Sequence, residues 1–307
     1  MSGHLTNVLV TLGRWYVRYA PGLLGKASVT ADFLNLYLRN NPRVRVVRSR
    51  FGAKFEVDTR DLIQRYVYLF GVWEPHLTAW LQRRLKPGDT FIDVGANIGY
   101  VTILAAQLVG ESGRVVSVEP SMEFCRRVQR HTLLNGVRNV RAVNAAVSDK
   151  HERVRLILAS SANLGANSIV PYQGPAESSF EIHAAPLPEL LSPEELANVR
   201  VIKIDVEGAE GAVMRGLLSA LDKLRPDAEI VVEVTSDRMV TLGYSMGELL
   251  DAMNDRGFHI YRLTNDYRSG SYPKAIRGGS GIPVRWRESV CEQSDLVFSR
   301  VDAETLP

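Results

Sequence analysis

Asp93, Gly95, Asn97 and Glu119 are the residues of this chain whose types and spacing most directly imply chemistry. They fall in Phe91-Ile-Asp-Val-Gly-Ala-Asn-Ile-Gly-Tyr100 and in Val116-Ser-Val-Glu-Pro120. In the first segment an apolar run ends at a carboxylate, turns through two glycines and continues into the helical pattern Val101-Thr-Ile-Leu-Ala-Ala106. Strand, glycine-rich turn and helix, in that order, open a doubly wound nucleotide-binding unit. The glycines permit positive φ and let backbone come close to a ligand. Glu119 ends the next strand, where a carboxylate can accept hydrogen bonds from both hydroxyls of a ribose.

Two ligand classes use this geometry. Dinucleotide enzymes carry G-x-G-x-x-G, and their backbone approaches a pyrophosphate at a helix N-terminus. Here Asp93 stands two positions before the first glycine, and Asn97 replaces the middle one. A carboxylate at that point repels a pyrophosphate and suits a cationic ligand carrying an ammonium group. S-adenosylmethionine carries one beside its sulfonium, so the methyl-donor reading is favoured. Two other readings stay open on these residues: an NAD(P)-dependent oxidoreductase, and a catalytically silent scaffold that binds the donor without turnover.

In doubly wound sheets the ligand lies outside the carboxyl ends of the strands. Several expected strands end polar, at Asp93, Glu119, Asn144 to Asp149, Asp205 and Glu233. In Val201-Ile-Lys-Ile-Asp-Val-Glu-Gly-Ala-Glu210, strand alternation puts Lys203 and Asp205 on one face, with Glu207 in a turn that Gly208 permits. The structural alternative pairs Lys203 with Glu207 and leaves Glu210 solvated. Asp205 and Glu233, ending adjacent strands, are the candidate general bases. His183 is the third, because it follows Ser160–Phe180, an aperiodic Ser-, Ala-, Asn-, Gly- and Pro-rich stretch read as a lid or loop.

The elements that must hold these residues can be read from pattern. Residues 1–40 are expected to be helical, and 43–58 to form a hairpin. Glu74-Pro75 opens a helix through Leu85. Further strands are expected at 115–119, 140–147, 153–158, 201–205, 229–233, 258–263 and 295–298, and helices at 122–134, 209–221 and 245–256. Lys274 to Pro283 reads as a Gly-rich loop. The expected organisation is an N-terminal helical and hairpin extension over 1–70 and a catalytic domain over 71–307.

The 307 residues are 45% hydrophobic and 23% charged, ordinary for a soluble enzyme. A net charge of +3 with no basic stripe argues against a nucleic-acid partner. So does the lack of the Asn/Asp-Pro-Pro-aromatic motif that presents a flipped base. Two cysteines, Cys125 and Cys291, make neither a disulfide framework nor a metal site, which suits a reducing, cytoplasmic compartment. Leu5 to Leu24 is interrupted by Arg14 and Arg18 and ended by Pro21-Gly22, so it reads as neither a membrane span nor a signal peptide. As an amphipathic helix it is expected to pack on the catalytic domain or on a second subunit of a homodimer, with peripheral membrane contact the other option.

Taken together, Asp93-Val-Gly-Ala-Asn-Ile-Gly99, Glu119-Pro120, Asn144-Ala-Ala-Val-Ser-Asp149 and Ile202-Lys-Ile-Asp-Val-Glu-Gly-Ala-Glu210 resemble, in order, the FkbM family of S-adenosylmethionine-dependent methyltransferases. Gly71-Val-Trp-Glu-Pro75 resembles the motif that opens that family's domain. The resemblance runs from about Gly71 to Glu233. It implies an α/β, doubly wound, Rossmann-like class I methyltransferase fold and O-methylation of a hydroxyl on a small-molecule acceptor: a sugar, a glycolipid or a secondary metabolite. Mapped by position, it gives Asp93, Gly95 and Asn97 the methionine portion of the donor and Glu119 the ribose. Asn144 and Ala145 take the adenine edge, and Glu74 the amino-acid end. Asp205 stands where related metal-dependent O-methyltransferases keep a metal-binding carboxylate, which leaves a divalent metal open without assigning one. The departure is Pro188 in Leu187-Pro-Glu-Leu-Leu191, where the family often has Leu-Asp; it bears on the substrate-side loop.

Overall fold

The computed structural model describes residues 2–159, 176–278, 281–288 and 293–306. Two short strands, β1 (Val44–Arg48) and β2 (Lys54–Asp58), form the expected antiparallel hairpin. The central sheet is built from β3 (Thr90–Val94), β4 (Arg114–Val118) and β5 (Val140–Val143). A small second sheet holds β6 (Ala146–Val147), β7 (Glu152–Ala159) and β8 (Ala176–Ala185). The central sheet is completed by β9 (Val199–Ile204), β10 (Glu229–Val234), β11 (His259–Leu263), β12 (Val284–Arg285) and β13 (Ser294–Ser299). Its order is β12-β11-β13-β10-β9-β3-β4-β5. The strands from β10 to β5 run parallel, and β13 pairs antiparallel with both β10 and β11.

β3, β9 and most of β10 are buried on both faces, which is why they read as near-continuous apolar runs. Alternation divides their side chains between two cores. Phe91, Val201, Val231 and Val297 join the N-terminal elements and the helices Pro75–Arg84 and Tyr100–Val109. Ile92, Ile202, Val232 and Leu296 join the helices Glu210–Leu217 and Met246–Asn254 on the other face. From β3 the chain winds one way through β4 and β5, then the other way through β9 and β10. That reversal leaves a crevice outside the carboxyl ends of β3 and β9.

Local signals account for several helix starts. Ser121 and Ser245 accept hydrogen bonds from the backbone N–H three residues on, and Ser192 with Glu195 forms a complete capping box. Several expectations are corrected. The stretch 140–147 is not one strand: it breaks after Val143, and Ala146–Val147 pairs with β8 in the second sheet. The last residues of the expected lid, from Ala176, are strand; 160–175 lie outside the described residues. The loop expected from Lys274 begins instead as the end of a helix, Tyr272–Arg277, and the helix Ser236–Thr241 was not anticipated.

The N-terminal segment is a helix, Ser2–Tyr19, followed after a glycine-containing break by helical turns over 26–40. Val10 and Val17 of the first helix join Leu34, Leu38, Val67 and Leu69 in the same core as Phe91. That core therefore crosses the expected boundary at 70/71. No helix among the described residues is long and apolar enough to cross a membrane.

Candidate active site

The alternation that divides the core also builds the site. Asp93 lies on the same face of the sheet as Phe91, Lys203 and Asp205 on that of Val201, Glu233 on that of Val231 and Asp295 on that of Val297. Register sets Asp93 beside Lys203 and Glu233 beside Asp295. A row of charged groups thus crosses the rim of the sheet beside a cavity of about 320 Å³; Asp93 and Asp295 are buried beneath that rim and do not line the cavity. Glu74, Gly95, Asn97, Glu119, Ala145, Lys203, Asp205 and Glu233 line that cavity.

Lys203 is the fixed cation of the row. Its Nζ donates to Asp205 Oδ2 at 2.9 Å and stands 4.0 Å from Asp93 Oδ1. Burial opposes its charge, but Asp205, Asp93 and Glu74 outweigh that and raise its proton affinity. The Lys203–Glu207 pair considered from sequence is not formed; Glu207 pairs with Arg238. Glu210 is buried, not solvated, and accepts from the Gly208 N–H at 2.9 Å.

Asp93 is fully buried. Its Oδ2 accepts from the Thr102 hydroxyl at 2.5 Å, and its Oδ1 has no hydrogen-bond partner. Glu74 is likewise buried, accepts from the Tyr267 hydroxyl at 2.9 Å through Oε1, and leaves Oε2 without a partner. Unpartnered buried carboxylate oxygens are costly unless a ligand completes them. Glu74 lines the cavity, whereas Asp93 is not among its lining residues and lies beneath the rim behind Lys203. The lining itself holds acid in excess over Lys203 and Arg238, which fits a cation and opposes a pyrophosphate.

Glu119 closes the turn after β3. Its two oxygens accept from the backbone N–H groups of Asn97 (2.8 Å) and Ser121 (2.9 Å), leaving lone pairs toward the cavity. Asn144 does not line the cavity; its amide braces the Glu119 and Pro120 carbonyls, while Ala145 beside it does line the wall. Glu74, Asn97 and Glu207 are the three non-glycine residues with positive φ among the described residues, and all three line the cavity. Such strain is commonly held at functional sites. At Gly95, φ is +80° and a Cβ would lie 1.7 Å from the Asp205 carbonyl oxygen. Gly95→Ala is accordingly expected to destabilise the fold by at least about 3 kcal/mol, read as a lowered midpoint in urea unfolding. A midpoint equal to wild type would show that β3 and β9 can separate freely.

The base candidates separate. Glu233 Oε1 accepts from Tyr267 at 2.8 Å and from Gln293. A tyrosine hydroxyl carries one proton, so it cannot donate to Glu74 and Glu233 at once. The geometry calls for a proton on one of the two carboxyls. Burial, then the charges of Asp205 and Asp295, hold the Glu233 carboxyl well above the usual range. His183 is not among the cavity residues: its ring stacks on His151, which also bonds the exposed Glu189. Oxygens of Glu74, Asp205 and Glu233 lie within 4.8 Å of one another, a set able to take a hard divalent cation, although Lys203 is already bonded to one of the three.

Burial pushes the carboxyls of Glu74, Glu119 and Glu210 up to about 7, from 4.5 in the open chain. As pH rises through that window the unfolded chain releases these protons before the folded one does. Stability therefore falls between those values and does not recover above them. The ligand-free protein is expected to melt several degrees higher at about pH 5.5 than at about pH 8. Thermal melts check this, and the reverse order would count against the buried-acid reading.

Tyr267, Asn265 and Asp295 were missed from sequence. The signal available was the polar run Thr264-Asn-Asp-Tyr267 directly after a strand, the same strand-end rule that found Asp205.

A family model described as the methyltransferase FkbM domain matches residues 93–260. Among curated proteins, the chain is 36% identical over 95 residues to a protein-L-isoaspartate O-methyltransferase of Caenorhabditis elegans, covering 27% of this chain and 42% of that one. It is 30% identical over 79 residues to a probable cobalt-precorrin-6B C(15)-methyltransferase of Saccharolobus solfataricus, covering 23% and 40%. The chain thus spans about two fifths of the length of these relatives. Among solved structures, a methyltransferase FkbM from Methylobacillus flagellatus aligns at 15% identity and TM-score 0.39, over 77% of this chain and 52% of that one.

Proposed function

The chain belongs to the FkbM methyltransferase family and is an S-adenosylmethionine-dependent methyltransferase; from that premise we propose that it methylates a hydroxyl oxygen of a sugar, glycolipid or secondary metabolite. The observation that carries the oxygen-acceptor reading is Glu233. It is a half-buried carboxyl of raised proton affinity, oriented by Tyr267 and Gln293, in the wall of the acid-lined cavity that the free oxygen of Glu74 leaves open to a cation. The acidic lining supports a small-molecule acceptor over nucleic acid, whose phosphates it repels. It also sets aside an NAD(P)-dependent oxidoreductase, for which no observation remains in favour.

The donor supplies an electrophilic methyl group on a sulfonium. When bound, the ammonium of its amino-acid end would be held by Glu74 and, from beneath the rim, by Asp93; Glu119 would accept from its ribose hydroxyls, and Ala145 would meet its adenine. Glu233 accepts the proton that the acceptor hydroxyl loses as its oxygen takes the methyl group. Trp73 and Tyr267, stacked 5.4 Å apart at the cavity wall, exclude water. Holding the two reactants in line is worth about 7–11 kcal/mol in favourable cases.

The test has two stages. Calorimetry should show S-adenosylhomocysteine binding and no NAD binding. A methyl-labelled donor is then offered with alcohol acceptors, a protein mixture and RNA. Label in a base-stable ether supports the proposal; label in a base-labile ester or in RNA overturns it.

A further inference from the structure

The first helix is apolar on two sides. Val10 and Val17 are buried against the core, and a Cβ added at Gly13 would touch Leu34. On the opposite side Leu5, Val8, Leu9, Leu12, Trp15 and Tyr19 are 49–65% exposed. Their spacing of three and four residues draws one stripe along the helix. Leu23 and Leu24 continue the exposed apolar surface past its end. Scattered exposed apolar residues need no account, but a contiguous stripe of large ones does.

Strand β1 runs beside this helix. Arg43 donates to Asn7 at one end, and Arg18 donates to the Arg48 carbonyl at the other. Eleven residues of helix and five of strand both span about 16 Å, so the two are matched in direction and length. On β1, Val44, Arg45, Val46 and Arg48 are exposed. Between residues 1 and 60 there are ten Lys or Arg against three Asp or Glu, while the whole chain nets only +3; the rest of the molecule is net acidic.

We propose that the first helix and β1 together form a docking face for an anionic phospholipid surface, with the helix lying in the plane of the headgroups. An apolar stripe carrying Trp and Tyr enters the headgroup–acyl boundary, and flanking guanidinium groups pair with lipid phosphates. A second copy of the chain is a poorer occupant, because a two-fold contact on this face would set two strongly basic segments against each other. The helix cannot cross the bilayer, so it lies on the surface. The face is joined to the site: the first helix packs on Leu62–Phe70, whose Leu62 and Ile63 line the cavity.

The full chain is sedimented with vesicles of pure phosphatidylcholine and of equimolar phosphatidylcholine and phosphatidylglycerol, at low and high salt. Binding to the anionic vesicles that weakens in salt is expected. It should fall by at least about tenfold in Leu12→Glu/Trp15→Glu and in Arg48→Glu, which shares the outer face of β1 with Val44 and Val46. All three positions are exposed, and S-adenosylhomocysteine titration should show both variants folded and unchanged in donor affinity. Equal binding to neutral vesicles, or binding that survives both variants, overturns the proposal. So does a solution dimer that Leu12→Glu/Trp15→Glu dissolves while no vesicle is bound.

Discussion

Asp93→Asn is expected to weaken S-adenosylhomocysteine binding by about a hundredfold, while the ligand-free protein melts no lower than wild type. The substitution keeps the size of the side chain and the contact with Thr102, and removes only the charge. Removing one partner of a buried charged contact costs about 2–5 kcal/mol, or thirty- to several-thousandfold in affinity. Without ligand the balance is opposite. Burial, only partly offset by Lys203, raises the proton affinity of the Asp93 carboxyl, so its charge is a burden on the empty fold. A variant that loses ligand yet keeps its melting temperature separates a binding role from a folding role. Calorimetry and a thermal melt on the same preparation decide it. Wild-type affinity in Asp93→Asn would mean that Glu74 alone holds the ammonium.

This site was legible in sequence where its chemistry is local. Asp93, Gly95, Asn97 and Glu119 fall within 27 residues and share one strand–helix–strand unit, so strand alternation, turn geometry and strand ends suffice to place them. Lys203 and Asp205 follow from the same alternation on a single strand. What could not be read is set by packing between distant segments. Tyr267 links Glu74 to Glu233 across almost 200 residues, and no local pattern says which strand end a tyrosine will meet. Asp295 opens an antiparallel strand, so its first turn, not its last, reaches the rim where the parallel strands end. The break in 140–147 is hidden because Asn144-Ala-Ala146 carries no Gly or Pro; Asn144 turns the chain by bonding the Glu119 and Pro120 carbonyls. His183 was placed by its nearness in sequence to a loop, and the antiparallel pairing of β7 with β8 carries it to His151 instead.

Glu233→Gln is expected to lower kcat by about 10²–10⁴-fold, the contribution of a positioned base, with S-adenosylhomocysteine affinity within about threefold of wild type. Asp205 is the less available of the pair, because its Oδ2 already accepts a hydrogen bond from the Lys203 ammonium. Glu233 is desolvated, and Asp205 and Asp295 further raise its proton affinity, so once ionised it takes up an acceptor proton readily. The same shift sets the pH dependence. Activity requires Glu233 ionised, so kcat is lost as pH falls through a limb lying well above the usual carboxylate range. Asp205→Asn removes one of the charges that hold that proton, and should move the limb to lower pH while the plateau rate falls far less than in Glu233→Gln. If the limb stays put in Asp205→Asn, or survives in Glu233→Gln, the proton is taken by another group. Glu74 would then be the next to test, since it shares the Tyr267 hydroxyl and its own carboxyl is pushed by burial to about 7.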